Sequence, residues 1–253
     1  MAIIPFKKKY TETLAVMLDR FRVENPEYSK SKITYAGRLD PMAEGLVILL
    51  TDADVHKKEE FLNLDKVYEV DFIFGPDTDT YDILGLILDS SQSLGVSIHV
   101  DKISCACQSL VGPRSQPYPA YSSKPVNGKP LFMWAREGRI SEIVIPEKKV
   151  NIYSLFLQGV FTVPAQDFLS EIKGGISRVT GDFRQKEIQK SWENYFEKHA
   201  NMTSSMSVYT LKIHASSGAY VRSLVHALGN KIGIPATSLK IRRLQVGNYA
   251  LMD

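Results

Sequence analysis

The residue best placed to do chemistry is Asp40, within Tyr35-Ala36-Gly37-Arg38-Leu39-Asp40-Pro41-Met42-Ala43-Glu44-Gly45-Leu46. A carboxylate stands there between a glycine turn and a proline, immediately ahead of the apolar run Leu46-Val47-Ile48-Leu49-Leu50. Gly37 opens a backbone geometry closed to other residues. Pro41 removes a donor, stiffens the loop and biases Asp40 toward an extended conformation. Such a loop can hold one carboxylate at the rim of a sheet, either for chemistry or merely to cap a turn, and the local pattern alone favours the cap. The other reactive side chains form no such constellation. Cys105 and Cys107 stand too close in sequence for an unstrained disulfide framework, and no second pair completes a zinc set, so they read as reduced thiols. His56, His99, His199, His214 and His226 never approach metal-ligand spacing.

The elements that must position Asp40 follow from periodicity. Leu14, Met17, Leu18 and Phe21 obey helical spacing, which predicts an amphipathic helix over residues 12–22. The apolar pentad 46–50 predicts a buried strand. Tyr68, Val70, Phe72 and Phe74 alternate with Val67, Glu69, Asp71 and Ile73, the two-residue period of a strand, which the turn-rich stretch 75–80 stops. Residues 112–130 carry five prolines and predict a long loop of the kind that is usually functional or mobile. A helix is predicted over Asp182 to Lys198, with Ile188, Trp192 and Phe196 on one face and an Asp182/Gln185 capping box. Residues 207–216 alternate as a strand, Ser216-Ser217-Gly218 turns, Ala219 to Lys231 continues as a helix ending before Gly233, and a last strand covers Leu244 to Leu251. Strands and helices intermix without β-α alternation and without a Rossmann or P-loop signature, which predicts an α+β fold with a mixed sheet flanked by helices.

The 253 residues suffice for one large domain or two small ones, and 44% hydrophobic against 23% charged residues is globular composition. A formal net charge of +3 permits a polyanionic partner without requiring one. No apolar run reaches the roughly 20 residues of a membrane-spanning helix, and the N-terminal lysines are not followed by a signal-peptide core, so the expected compartment is the cytoplasm.

Four segments, in order, carry a resemblance. G-x-L-D-P-x-A-x-G-L around Asp40 resembles the catalytic loop of the TruB family of tRNA pseudouridine synthases. Lys66-x-Tyr68 through Gly75, Thr78-Asp79-Thr80, Asp82 and Gly85 resembles its K-x-Y…G-x-x-T-D-T-x-D-x-x-G motif. Gln116 to Lys124, then Gly128, Leu131, Ala135-Arg136 and Gly138, resembles its Q-x-P-P-x-Y-S-A-x-K…A-R-x-G segment. Ser217-Gly218-Ala219-Tyr220-Val221-Arg222-Ser223-Leu224, with Leu228-Gly229 and Arg242-Arg243-Leu244, resembles its S-K-G-T-Y-I-R-S-L…L-G…L-R-R end.

The resemblance implies the pseudouridine synthase fold, a mixed, mainly antiparallel sheet flanked by helices, and isomerisation of the T-loop uridine (position 55) of tRNA without a cofactor. It casts Asp40 as nucleophile and Arg222 as the cation that keeps it ionised, a cation nearby typically lowering an Asp pKa by about 1–3. It casts Tyr68 as the aromatic under the flipped uracil and as a late proton acceptor, Tyr220 as the opposite wall, and Ile241 as an apolar contact to the base. Lys124, Arg136, Arg242 and Arg243 would reach phosphates. The expected partner is the tRNA T-arm, and a monomer is expected.

Three departures stand out. The family's N-terminal K-P-x-G-x-T-S is not recognisable, Lys8-Lys9-Tyr10-Thr11 standing at about that place; Tyr35 replaces a histidine; and the chain stops at Asp253 where bacterial members commonly continue into a PUA domain. The expectation is therefore one catalytic domain over residues 1–253, without a PUA domain, with its grip on RNA either weaker or shifted to a helical insertion near 165–203. Gly37-Arg38-Leu39-Asp40 also occurs in RsuA/RluA-type synthases acting on ribosomal and other RNA, which stays open as an alternative, as does a non-catalytic RNA-binding relative.

Overall fold

A computed structural model describes residues 2–89, 96–199 and 204–251. In chain order it contains β1 (Ile3–Lys8), α1 (Leu14–Glu24), β2 (Ile33–Ala36), β3 (Ala43–Thr51), α2 (Lys58–Leu62), β4 (Lys66–Phe74), β5 (Asp77–Thr78) and β6 (Ile87–Asp89). It continues with α3 (Val100–Gln108), β7 (Gly112–Pro117), β8 (Pro125–Val126), β9 (Lys129–Pro130), α4 (Leu131–Arg136), β10 (Glu147–Pro164), α5 (Ala165–Arg178), α6 (Gln185–His199), β11 (Ser205–Ala215), α7 (Val221–Ile232), β12 (Ala236–Val246) and β13 (Tyr249–Ala250). One large sheet runs β1-β3-β12-β4-β11-β10-β7, with β2 added on β3 and β13 on β12. Its pairings are antiparallel except β12 on β3, so the sheet is mixed and mainly antiparallel, as expected.

The apolar pentad is buried on both faces of β3. Val47 and Leu49 join the main core under α1 and α7, while Leu46, Ile48 and Leu50 pack with Phe61 and Val246 on the other side. Burial on both faces is why the segment reads as an unbroken apolar run. On β4 the alternation holds: Tyr68, Val70, Phe72 and Phe74 face the main core, and Ile73 faces a second cluster built by α5 and α6. The parallel contact of β3 with β12 requires Gly45, at φ 108°, where a Cβ would sit 2.3 Å from the Arg243 carbonyl oxygen. Gly45→Ala is expected to lose roughly 3 kcal/mol or more, because backbone must move on both strands at a left-handed position; denaturant unfolding with an unchanged midpoint would refute that close approach.

Several expectations change. Residues 112–117 are not loop but the edge strand β7, paired with β10, where Pro113 and Pro117 cost little because an edge strand has amides to spare. The remainder turns tightly at Asn127-Gly128 (φ 51° and 78°) between β8 and β9. The stretch 75–80 contributes β5, paired with β6. The last strand begins earlier, at Ala236, and Gly247 turns it into β13. The helix expected from Asp182 starts at Gln185, and the capping box is replaced: the Gln185 side chain accepts from the Phe183 amide (3.0 Å) and donates to the Val179 (2.9 Å) and Gly181 (2.7 Å) carbonyls. Residues 200–203, the end of the expected insertion, lie outside the described residues. Among the described residues, no helix is long and apolar enough to cross a membrane.

Candidate active site

Asp40 follows β2 on the loop into β3, and Arg222 sits in the first turn of α7, just beyond Tyr220. The two meet: Arg222 Nε is 2.9 Å from Asp40 Oδ2. The Arg222 side chain is only 4% exposed, while that of Asp40 is 44% exposed. The cation is thus part of the protein interior and the carboxylate faces the solvent side, the arrangement an attacking group needs.

Arg222 has a second anion. Asp82 Oδ2 lies 3.5 Å from the same Nε and is 7% exposed. The guanidinium also donates to the Thr80 carbonyl and, at 3.4 Å, to the Tyr121 carbonyl. Asp82 accepts from Thr80 Oγ1 (2.7 Å) and the Leu84 amide (2.9 Å). Burial pushes the Asp82 carboxyl up to about 6, with Arg222 opposing and Asp40 adding to the rise. The folded chain therefore holds this proton more tightly than the unfolded one, and the stability it gives is lost as pH rises through about 6. We expect Asp82→Asn to flatten this dependence, on the order of 1–2 kcal/mol between pH 5 and 7.5; thermal melts with the same pH slope in both proteins would contradict it.

Two buried cations brace the Asp40 loop from below. Lys8 Nζ donates to the carbonyls of Ala43 (2.6 Å), Lys9 (3.2 Å) and Pro41 (3.3 Å). Its ammonium falls to about 8 chiefly through burial. Arg243 donates to the carbonyls of Leu46 (2.6 Å), Gly37 (3.0 Å) and Arg38 (3.3 Å). The Thr11 amide adds a bond to the Pro41 carbonyl (2.9 Å). The N-terminal segment therefore does support the loop. In register with K-P-x-G-x-T-S, Lys8 and Thr13 stand at the lysine and threonine, and Thr11 holds φ 70° where the pattern has glycine. What hid this support in the sequence is the non-glycine residue in a glycine conformation.

The Asp40 loop and Arg243 open onto a cleft of about 920 Å³. Tyr68, Tyr220 and Ile241 line it together with Asp40 and Arg222. Tyr68 is 7% exposed and stands opposite Arg243 in the pairing of β4 with β12. Tyr220 is pinned by its backbone, its amide donating to Gln116 Oε1 (2.8 Å) and its carbonyl accepting from Gln116 Nε2 (3.0 Å). Its ring meets Tyr118 edge-on at 5.6 Å. Burial and the nearby Asp40 charge push its hydroxyl up. Tyr35 also lines the cleft, with Lys58 Nζ 5.8 Å from its ring centroid.

The four expected phosphate contacts separate. Arg136 lines the cleft and pairs with Asp182, and Lys124 lies over the Tyr118 ring at 5.3 Å on the proline loop. Arg243 is 1% exposed and occupied by backbone carbonyls, so it is a brace and not a surface contact. Arg242, one residue away on β12, points to the opposite sheet face and pairs with Glu69 and Asp71 (3.0 Å) of β4. The period of two separates neighbours on a strand, which consecutive arginines in a sequence do not reveal. Residues not singled out from sequence are Lys8, Gln116 and Asp82; Gln116 and Asp82 stood in quoted motifs, and the role of Asp82 became visible only once α7 brought Arg222 to it.

Residues 26–176 match the family model described as TruB family pseudouridylate synthase (N terminal domain). The chain is 30% identical over 224 residues to tRNA pseudouridine synthase B of Lactobacillus delbrueckii subsp. bulgaricus, covering 88% of this chain and 62% of that one. It is 29% identical over 224 residues to tRNA pseudouridine synthase B of Blochmanniella floridana, covering 88% of this chain and 68% of that one. Its fold matches the solved structure of a Cbf5-Nop10-Gar1 complex with a TM-score of 0.57 at 14% identity, over 99% of this chain and 50% of the other. The chain belongs to the TruB family. It spans about three-fifths to two-thirds of the length of the two synthases compared.

Proposed function

We propose that this chain isomerises uridine to pseudouridine in tRNA, at the T-loop uridine (position 55), with Asp40 as nucleophile. The observation that carries the reading is the half-exposed Asp40 carboxylate held 2.9 Å from a buried arginine at the floor of a cleft. A carboxylate attacks as the anion, and the fixed Arg222 guanidinium 2.9 Å away supplies its counterion and orients it. The curated relatives, both tRNA pseudouridine synthases by name, support the choice of RNA.

Asp40 adds either to ribose C1′ or to the uracil ring. In both courses the bond from N1 to C1′ breaks, the base rotates, C5 bonds to C1′, the bond to Asp40 is released, the C5 proton leaves and N1 takes up a proton, so the product is an isomer and nothing is oxidised or reduced. A uridine in a folded loop reaches the carboxylate only by flipping out, at a cost of a few kcal/mol. The Tyr68 and Tyr220 rings return part of this by contact with the base. Tyr68, opposite Arg243 in the strand pairing and on the wall of the cleft, is the candidate acceptor for the C5 proton. The test is to incubate the protein with unmodified tRNA transcript and map pseudouridine by adduct sequencing. Product at the T-loop uridine is expected; product only at another site or in another RNA would overturn the proposed substrate, and none on total cellular RNA would leave an RNA-binding relative.

A further inference from the structure

The loop 179–184, between α5 and α6, has no role in the chemistry above, yet Asp182, Phe183 and Arg184 stand at the cleft that holds Asp40. The loop is built rather than slack. The Gln185 side chain ties down three of its backbone groups. Arg184 holds φ 61°, a conformation that non-glycine residues avoid unless the surroundings impose it. Its guanidinium makes two bonds to Asp79 (2.7 and 3.2 Å) and lies 4.4 Å from the Tyr121 ring centroid. One side chain thus joins the helical insertion, the turn carrying Asp79 and Asp82, and the proline loop. Behind it, Trp192 Nε1 donates to the Ile83 carbonyl (3.1 Å) and the Ile87 amide donates to Ser191 Oγ (3.1 Å), fastening α6 to the body.

The exception to this ionic framework is Phe183. It is half-buried, packs on the cluster formed by α5 and α6, and lines the same cleft as Arg38, Arg136, Lys148 and Arg184. An aromatic side chain fixed on a stiffened loop, in a cleft that also carries cations and the nucleophile, suits an unpaired base and its phosphates; a paired base has no free face to offer. We propose that Phe183 is an RNA-contact residue of the insertion, stacking on an unpaired nucleotide that flanks the uridine in a single-stranded loop. This deepens the isomerase reading and rests on it.

The measurement compares Phe183→Ala and Phe183→Trp with the unchanged protein, using unmodified tRNA transcript. Dissociation constants are taken in an Asp40→Asn background and steady-state kinetics in the active one. Phe183→Ala is expected to raise both Kd and KM about ten-fold, with kcat within about two-fold, and Phe183→Trp to restore them. Unchanged Kd and KM in Phe183→Ala would overturn the proposal. So would weakened binding that tryptophan does not restore and that comes with a lowered melting temperature, because the ring would then serve only the α5–α6 packing. Failure of the isomerase reading looks different: the unchanged protein would bind RNA and form no pseudouridine, and Kd alone would still decide on Phe183.

Discussion

Asp40→Asn is expected to reduce pseudouridine formation by at least about 10³-fold while leaving the dissociation constant for tRNA within about three-fold. Asparagine keeps the size and one acceptor oxygen, so the loop geometry survives: Lys8, Arg243 and Thr11 hold backbone carbonyls around position 40 and none depends on its side chain. What asparagine lacks is the anionic oxygen. Arg222 keeps Asp82 as a partner, so no buried charge is abandoned and the fold should lose little. The partial exposure of Asp40 leads to the same expectation for stability, since a pair open to water is worth about 0–1 kcal/mol. Turnover near that of the unchanged protein, with pseudouridine mapped at the same position, would remove Asp40 as nucleophile and with it the proposed mechanism.

How much of this was readable from residues alone follows from which interactions are local. The β4 alternation and the β3 pentad are short-range patterns, and both elements were found where the pattern put them. The loop around Asp40 was legible because glycine and proline constrain backbone regardless of tertiary context. The bracing by Lys8 and Arg243 was not, because a lysine or arginine in sequence reads as surface, and burial depends on carbonyls delivered from 33 to more than 200 residues away. The 18-residue β10 was missed for a related reason: its outer half, including Val160 and Phe161, is exposed, so the burial that produces alternation is absent. The Asp82–Arg222 contact joins a turn and a helix 140 positions apart, a distance over which sequence spacing says nothing about geometry.

That contact governs the second large effect, at Arg222. Arg222→Met is expected to destroy activity and to destabilise the fold by about 3–5 kcal/mol, because it removes the cation and strands a carboxylate that is 7% exposed. The loss should be smaller below pH 6 than above it. Asp82 already holds its proton up to about pH 6, and without Arg222, whose charge pulls that value down, the carboxyl would stay protonated to higher pH. Arg222→Lys tests geometry rather than charge. An ammonium is a point charge that cannot reach Asp40, Asp82 and the carbonyls of Thr80 and Tyr121 together, so we expect roughly a 10²-fold loss in kcat with a milder loss of stability. The decisive comparison is the double variant Arg222→Met/Asp82→Asn. If Asp82 is the charge that Arg222 neutralises in the interior, neutralising it by substitution should return most of the lost stability, a strongly non-additive cycle. Activity should not return with it, since Asp40 would still lack its cation. Stability losses that simply add would show the two residues acting independently, and recovery of turnover in the double variant would show that Arg222 serves Asp82 and not the nucleophile.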